Sequence, residues 1–351
     1  MNDQNKMLAA ASGALDHLFK LTTNDNILVI TDSYSAAIAD AFKEAGLEKG
    51  CSVSLFKIEN DTRPLQEIPA ELENLLPGKT TVLNIIKSFP EEISFRIKWI
   101  HKVEANKLVR MGHMPGITEE MMLHCVNVDF GGMKTTADKL IEALANAVQL
   151  HITTDAGTDI VLGVAGRKFV GDIEINPGKM GNIPCGEIYC APLETEANGI
   201  IVFDASIGDI GLLKQPLKVY VTDGRITKVE SNDKELETRI AELTDVDDEA
   251  RVIGELGIGV NPGARITGNM LEDEKSLGTS HIAFGNNVGF VGGGKNNSKI
   301  HRDYLFYRPT IEIYYAKADL SSTSTLSGKQ TDRKMLMNRG KSVYAEQKEP
   351  S

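Results

Sequence analysis

Residues Asn26–Ile58 read NILVITDSYSAAIADAFKEAGLEKGCSVSLFKI. The run Asn26–Ile30 is short and apolar after its first residue, which predicts a buried strand. A helix is expected from Ser33 to Ala45, where Ala, Ile and Phe recur at helical spacing until Gly46 stops it. Ser52–Ile58 then reads as a second strand. Strand, helix and strand in this order form the repeating unit of a parallel sheet. Working outward, residues 4–20 carry helical spacing of Leu, Ala and Phe, and Thr80–Ile86 (TTVLNII) gives a third strand. Glu91–Glu104 reads as helix, Lys107–Met111 as strand, and Asp129–Leu150 as helix. The expected class is therefore α/β, with a mostly parallel sheet domain over residues 1–150. No GxGxxG follows the first strand and no GxxxxGK with Ser or Thr occurs, so neither a dinucleotide cradle nor a P-loop is present. The triplet Gly292–Gly294 sits among polar residues and reads as a turn.

From about His151 the texture changes. HITTDAGTDIVLGVAG, KFVGDIEINPG, NGIIVFDASIGDIG and PLKVYVTDGRITKVES are short, glycine-punctuated and β-rich, at the spacing of antiparallel strands. Thr222–Gly224 (TDG) is a hairpin turn between KVYV and RITKV. One helix is expected over Asp233–Leu243. The second domain, residues 151–317, thus reads as β-rich α+β. Residues 318–351, rich in Ser, Thr and Lys with little periodicity, read as a flexible tail.

The 351 residues are 41% hydrophobic and 25% charged, enough for two ordinary globular cores. Acidic residues (49) outnumber basic ones (38), giving a net charge of −11 without a basic block, which argues against a nucleic-acid partner. No apolar run reaches membrane-spanning length, so no membrane partner is expected. The N-terminus does not read as a signal peptide, and Cys51, Cys125, Cys185 and Cys190 form no CxxC pair. A cytoplasmic setting with free, buried thiols is expected.

Three segments concentrate metal-ligating side chains: Asn182–Pro192 (NIPCGEIYCAP), Gly254–His281 (GELGIGVNPGARITGNMLEDEKSLGTSH) and His301–Asp303 (HRD). On a strand, His301 and Asp303 point to one face, and in HIAFG His281 and Ala283 oppose Ile282 and Phe284. Glu187 and Glu255 lie in apolar surroundings, where a carboxylate needs a cation or a hydrogen-bonded partner. In LEDEK, Glu272 and Asp273 read as a solvated acidic turn, and Glu274 is the best placed of the three to add a ligand. Carboxylates with two imidazoles suit zinc, manganese, cobalt or iron, and four carboxylates suffice for two ions.

In order and content these motifs, from Asn182 to Thr310, resemble the aminopeptidase T / aminopeptidase S family of metallo-aminopeptidases, the thermophilic metalloproteases; RMGHMPGITEEMM (Arg110–Met122) adds a weaker likeness. The resemblance implies metal ligands at Glu187, Glu255, His281, His301 and Asp303, with Glu274 a looser match because its spacing differs. It implies catalytic roles for Glu187 and Glu255, with Glu255 bridging two divalent ions (Zn, Co or Mn). It also implies a peptide substrate and a homodimer. Family peptidases carry a tyrosine seven residues after the HIA histidine, and here Val288 stands in that place. Tyr189, Tyr304 and Tyr307 are the phenols nearby in sequence. The motifs also resemble the dihydroxypyridine ring-cleaving dioxygenases. These would use one Fe(II) on His281, His301 and Asp303, act on a small aromatic, and employ His113 as an acid or base.

Overall fold

The computed structural model describes residues 2–316 and 332–344. These form two compact units: residues 1–134, 172–186 and 261–265 in the first, and 135–171, 187–260 and 266–351 in the second. The class is mixed α/β, as the sequence predicts.

The first unit holds a parallel sheet in the order Ser52–Lys57, Asn26–Thr31, Thr81–Ile86, Arg110–Pro115, Met180–Asn182. Its central strands are buried along their length, as their unbroken apolar runs require. Leu28, Ile30, Val82 and Ile86 pack against Phe95, Trp99 and Val103 of the helix Ile93–Ala105. Arg63 is buried between Asp32, at the end of the first strand, and Glu92, which keeps all three charges paired.

The second unit holds two antiparallel sheets. One has eight strands, ordered Arg225–Ser231, Leu217–Thr222, Ala197–Phe203, Asp159–Gly163, Ala147–Thr153, Thr310–Tyr315, Asp332–Asn338, Lys341–Ser342. The other has seven, ordered Gly211–Leu212, Ser206–Ile207, His301–Tyr307, Thr279–Gly285, Ile253–Gly259, Glu187–Cys190, Val170–Gly171. Phe203 of the first sheet packs on Tyr304 and Phe306 of the second, at ring separations of 5.1 and 6.0 Å. One face of the seven-stranded sheet is thereby committed to core, leaving the other to carry polar groups.

Two expectations change. The helix expected over Asp129–Leu150 is Phe130–Leu144, and Ala147–Thr153 is a strand. Asn146, at φ 64°, makes the break. Part of the stretch read as tail is also ordered. Asp332–Asn338 pairs with Thr310–Tyr315, burying Leu336 and Met337. Those two apolar residues supply the burial that a Ser/Thr-rich composition hides. Residues 318–331 and 345–351, also read as tail, lie outside the described residues.

Candidate metal centre

Four adjacent strands of the seven-stranded sheet carry the predicted side chains. Directly opposed residues of paired antiparallel strands share a face. Glu187 opposes Gly259; Tyr189 opposes Gly257, which opposes His281; Glu255 opposes Ala283, which opposes Asp303; His301 opposes Gly285. Glu187, Glu255, His281, His301 and Asp303 therefore all rise from one face. The positions between them are Gly257, Gly259, Ala283 and Gly285, which leave the floor clear. A Cβ on Gly257 would lie 2.0 Å from Nε2 of His281, so the imidazole lies across that glycine. A Cβ on Gly259 would lie 2.1 Å from the Ser276 carbonyl oxygen, so the turn after Asp273 rests on that strand. A register shift between Ile253 and Glu255 marks a bulge, a device that re-aims a strand side chain.

The carboxylate of Glu255 faces two imidazoles at once. Its Oε1 is 3.6 Å from His281 Nε2 and its Oε2 is 3.0 Å from His301 Nε2. Glu187 Oε2 is 3.4 Å from His281 Nε2, and Asp303 Oδ1 is 3.4 Å from His301 Nε2. The ligand atoms fall into two groups, Glu187–Glu255–His281 and Glu255–His301–Asp303, each within 4.8 Å. His281 and Asp303 fall in different groups, and Glu255 is common to both. The Nδ1 of His301 donates to the Asn286 carbonyl oxygen at 2.7 Å, which turns Nε2 toward the carboxylates. Phe290 leans on His301 at 5.7 Å between ring centroids and meets Tyr189 edge-on at 5.6 Å. His301 is the most open of the five, with its side chain 30% exposed, and marks the approach from solvent.

Burial works against charge at every one of these groups, and their mutual contacts prevail where a shift is resolved. Burial lowers the pKa of His281, but a hydrogen bond to Glu255 and the charges of Glu187 and Asp303 push it up to about 9. His301 is likewise discouraged by burial, yet Asp303 and Glu255 raise it well above the ordinary imidazole value. Burial raises Asp303, but His301 holds it down at about 2. Glu255 is lowered in the same sense, with hydrogen bonds from His281 and His301 overcoming burial. Two imidazole nitrogens facing buried carboxylate oxygens need a proton or a cation between them. Buried nitrogen and oxygen donors converging in two sets fit divalent metal.

The family model of the thermophilic metalloproteases (M29) matches residues 132–328, more than half of the chain. The chain belongs to the thermophilic metalloprotease family. It is thus a metallopeptidase by family, and a divalent metal is implied. Two solved structures share its fold. Wild-type AmpT from Thermus thermophilus matches with a TM-score of 0.72 at 16% identity, covering 97% of this chain and 100% of that one. The 2,5-dihydroxypyridine dioxygenase from Pseudomonas putida matches with a TM-score of 0.67 at 17% identity, covering 97% and 98%. A search of curated proteins gave no match. Among the described residues, no helix is long and apolar enough to cross a membrane.

In this metalloprotease the remaining predicted residues fall as follows. Glu274 lies outside both ligand groups, with its Oε1 2.8 Å from Lys275 Nζ. Burial raises its pKa, partly offset by the Lys275 charge. Glu272 and Asp273, expected in solvent, are buried. Asp273 is tolerated there because its carboxylate accepts from the backbone N–H groups of Thr267 and Gly268. His113, the acid or base of the dioxygenase resemblance, is buried in a strand of the parallel sheet. It accepts a 2.8 Å hydrogen bond from Asn84 Nδ2, and burial pushes it down to about 3. Cys185 is buried and forms no disulfide, and its carbonyl accepts from Asn261 Nδ2. Val288 is exposed on the loop after Gly285. Of the three phenols, Tyr304 points into the core, where burial pushes it up to about 12. Tyr189 shares the face of the ligands, beside Gly257.

Lys275 was missed by sequence reasoning. It is 1% exposed, and its Nζ donates to Glu187 Oε1 at 2.5 Å. The only signal was a lysine closing an acidic run, which reads equally well as a solvated turn.

Proposed function

We propose that this metalloprotease is an aminopeptidase that holds two divalent ions at the two groups sharing Glu255. The observation that carries this reading is the pair of Glu255 oxygens, each turned to a different histidine. In this reading Glu187, Glu255 and His281 hold one ion, and Glu255, His301 and Asp303 the other. When bound, such a pair polarises a peptide carbonyl and lowers the pKa of an attacking water. Glu255, common to both groups, would be a ligand to both ions. Glu187, with one oxygen fixed by Lys275, presents the other inward and carries the proton from water to the departing amine. Tyr189 is the phenol on the ligand face and takes the place that Val288 leaves empty of a donor. Phe290, beside His301, offers an apolar wall to the substrate's first side chain.

The test is metal content by mass spectrometry together with release of p-nitroaniline from aminoacyl-p-nitroanilides. Two zinc, cobalt or manganese ions per chain with turnover is the expected result. Glu187→Gln should lower kcat by about 100-fold or more and loosen the ion that Glu187 holds with Glu255 and His281. One oxygen-sensitive iron per chain, with consumption of a dihydroxypyridine and no peptidase turnover, would replace this reading with the dioxygenase.

A further inference from the structure

Phe290 reaches across the face that carries the ligand groups. His301 and Tyr189 stand on strands separated by two others, so their backbones are three strand spacings apart, about 14 Å. The Phe290 ring meets both side chains, at 5.7 Å from the His301 ring and 5.6 Å from the Tyr189 ring. These are contact separations for aromatic rings, so no third side chain fits into either gap. The ring therefore spans the strands Thr279–Gly285 and Ile253–Gly259, which carry His281 and Glu255 on the same face. Val170, which opposes Tyr189 on the edge strand, continues this apolar border.

The loop holds the ring in place. The N–H of Phe290 donates to Asn287 O and its carbonyl accepts from Gly293 N, both at 3.2 Å. The loop then runs against Arg167 and Lys168. A Cβ on Gly292 would lie 2.6 Å from Lys168 Cβ, and one on Gly293 would lie 2.5 Å from Arg167 Nη1. Arg167 is paired with Glu194 at 2.5 Å, and the other Glu194 oxygen accepts from Lys295 N at 2.9 Å. The glycine triplet that reads as a turn is thus the seat of the loop that carries Phe290. A peptide whose free amine and first carbonyl both lie at the ions brings its first side chain to the same place, under this ring. Resting on the aminopeptidase reading, we propose that Phe290 is the specificity-determining residue of the site. By filling the span between His301 and Tyr189 it limits the first residue of the substrate to a small side chain. Peptides that begin with glycine, alanine or serine are the substrates, and a leucine or phenylalanine in that position overlaps the ring.

The experiment compares kcat/KM for alanine, leucine and phenylalanine p-nitroanilides on the full-length protein loaded with zinc, cobalt or manganese. A single misfit carbon in an apolar pocket changes kcat/KM by about 10- to 200-fold, so wild type should favour the alanine substrate by about tenfold or more. Phe290→Ala should raise the leucine and phenylalanine values by about tenfold or more and lower the alanine value, which loses its wall, so that the order reverses. Phe290→Leu, which keeps an apolar side chain on the loop, should shift the order in the same direction by less, and serves if the alanine variant does not fold. Damage to the loop would lower all three values, whereas removal of an obstruction raises two of them. A smaller gap in wild type overturns the proposal, as do folded variants in which the order is unchanged or all three values fall together. Metal-loaded wild type that turns over none of the three would instead sink the aminopeptidase reading beneath it.

Discussion

Glu255 can face two histidines only because small residues flank it on the sheet. Gly257 is the tightest case, since the His281 ring occupies the volume its side chain would need. Gly257→Ala adds one methyl, and that methyl must displace an imidazole that is 1% exposed. Overpacking of this kind costs about 1–3 kcal/mol. The expected outcome is a folded protein of lower stability that has lost the ion held by His281, together with most turnover. Metal analysis beside a thermal melt checks it, and full metal content with normal activity would refute the placement of His281. At this scale the side chains that cluster on the sheet were legible because chemistry restricts them: a carboxylate or imidazole in an apolar strand needs a reason. Lys275, Glu272 and Asp273 were not legible, because a charged run looks solvated unless its partners are known. Those partners, Glu187 and the Thr267–Gly268 backbone, are distant in sequence or belong to a turn whose shape the sequence does not display.

The strands set the face, and the connecting loop sets the aim. His301 is oriented by the carbonyl of Asn286, which opens the loop between the Thr279–Gly285 and His301–Tyr307 strands. Two buried asparagines fasten that loop. Asn287 Nδ2 donates to Gly254 O, and Asn296 Nδ2 donates to both Ile253 O and Gly285 O. The backbone N–H of Asn296 closes the pair by donating to Asn287 Oδ1. Asn296→Ala strands two buried carbonyls beside the bulge that carries Glu255. The expected cost is about 1–3 kcal/mol, read as a lower urea midpoint, with weaker metal retention at the His301 position. An unchanged midpoint would show that the loop does not depend on this fastening. Alternation within single strands was readable in advance, as His281 and Ala283 against Ile282 and Phe284 show. The lateral order was not. Nothing local in GEIY or GELGIG states that their strands pair, because pairing is decided by burial of the opposite face against Phe203 and its neighbours.

Across the molecule, an acidic chain has gathered three carboxylates and two imidazoles on one sheet face, with Glu187, Glu255 and His281 buried, so its stability and its metal content must be linked through protons. Without metal, the facing carboxylates push His281 up to about 9 and raise His301 in the same direction, against about 6.5 in an unfolded chain. A raised histidine contributes stability that is complete below pH 6.5 and is lost as pH climbs through the folded value. For His281 alone the amount is on the order of 3 kcal/mol. Asp303, held at about 2, has the opposite sign. Its contribution is complete above the ordinary aspartate value near 3.8 and is lost as pH falls through 2. The metal-free protein should therefore be most stable between about pH 4.5 and 6.5, and its melting temperature should fall by roughly 5–10 °C on going to pH 9. A bound divalent ion reverses this limb. It needs both histidines neutral, so it replaces their protons with its own charge and binds more tightly as pH rises. Calorimetric melts of chelator-treated and zinc-loaded protein from pH 5 to pH 9 check both statements. The gap between the two curves should widen with pH, and parallel curves would mean that these histidines do not meet the metal.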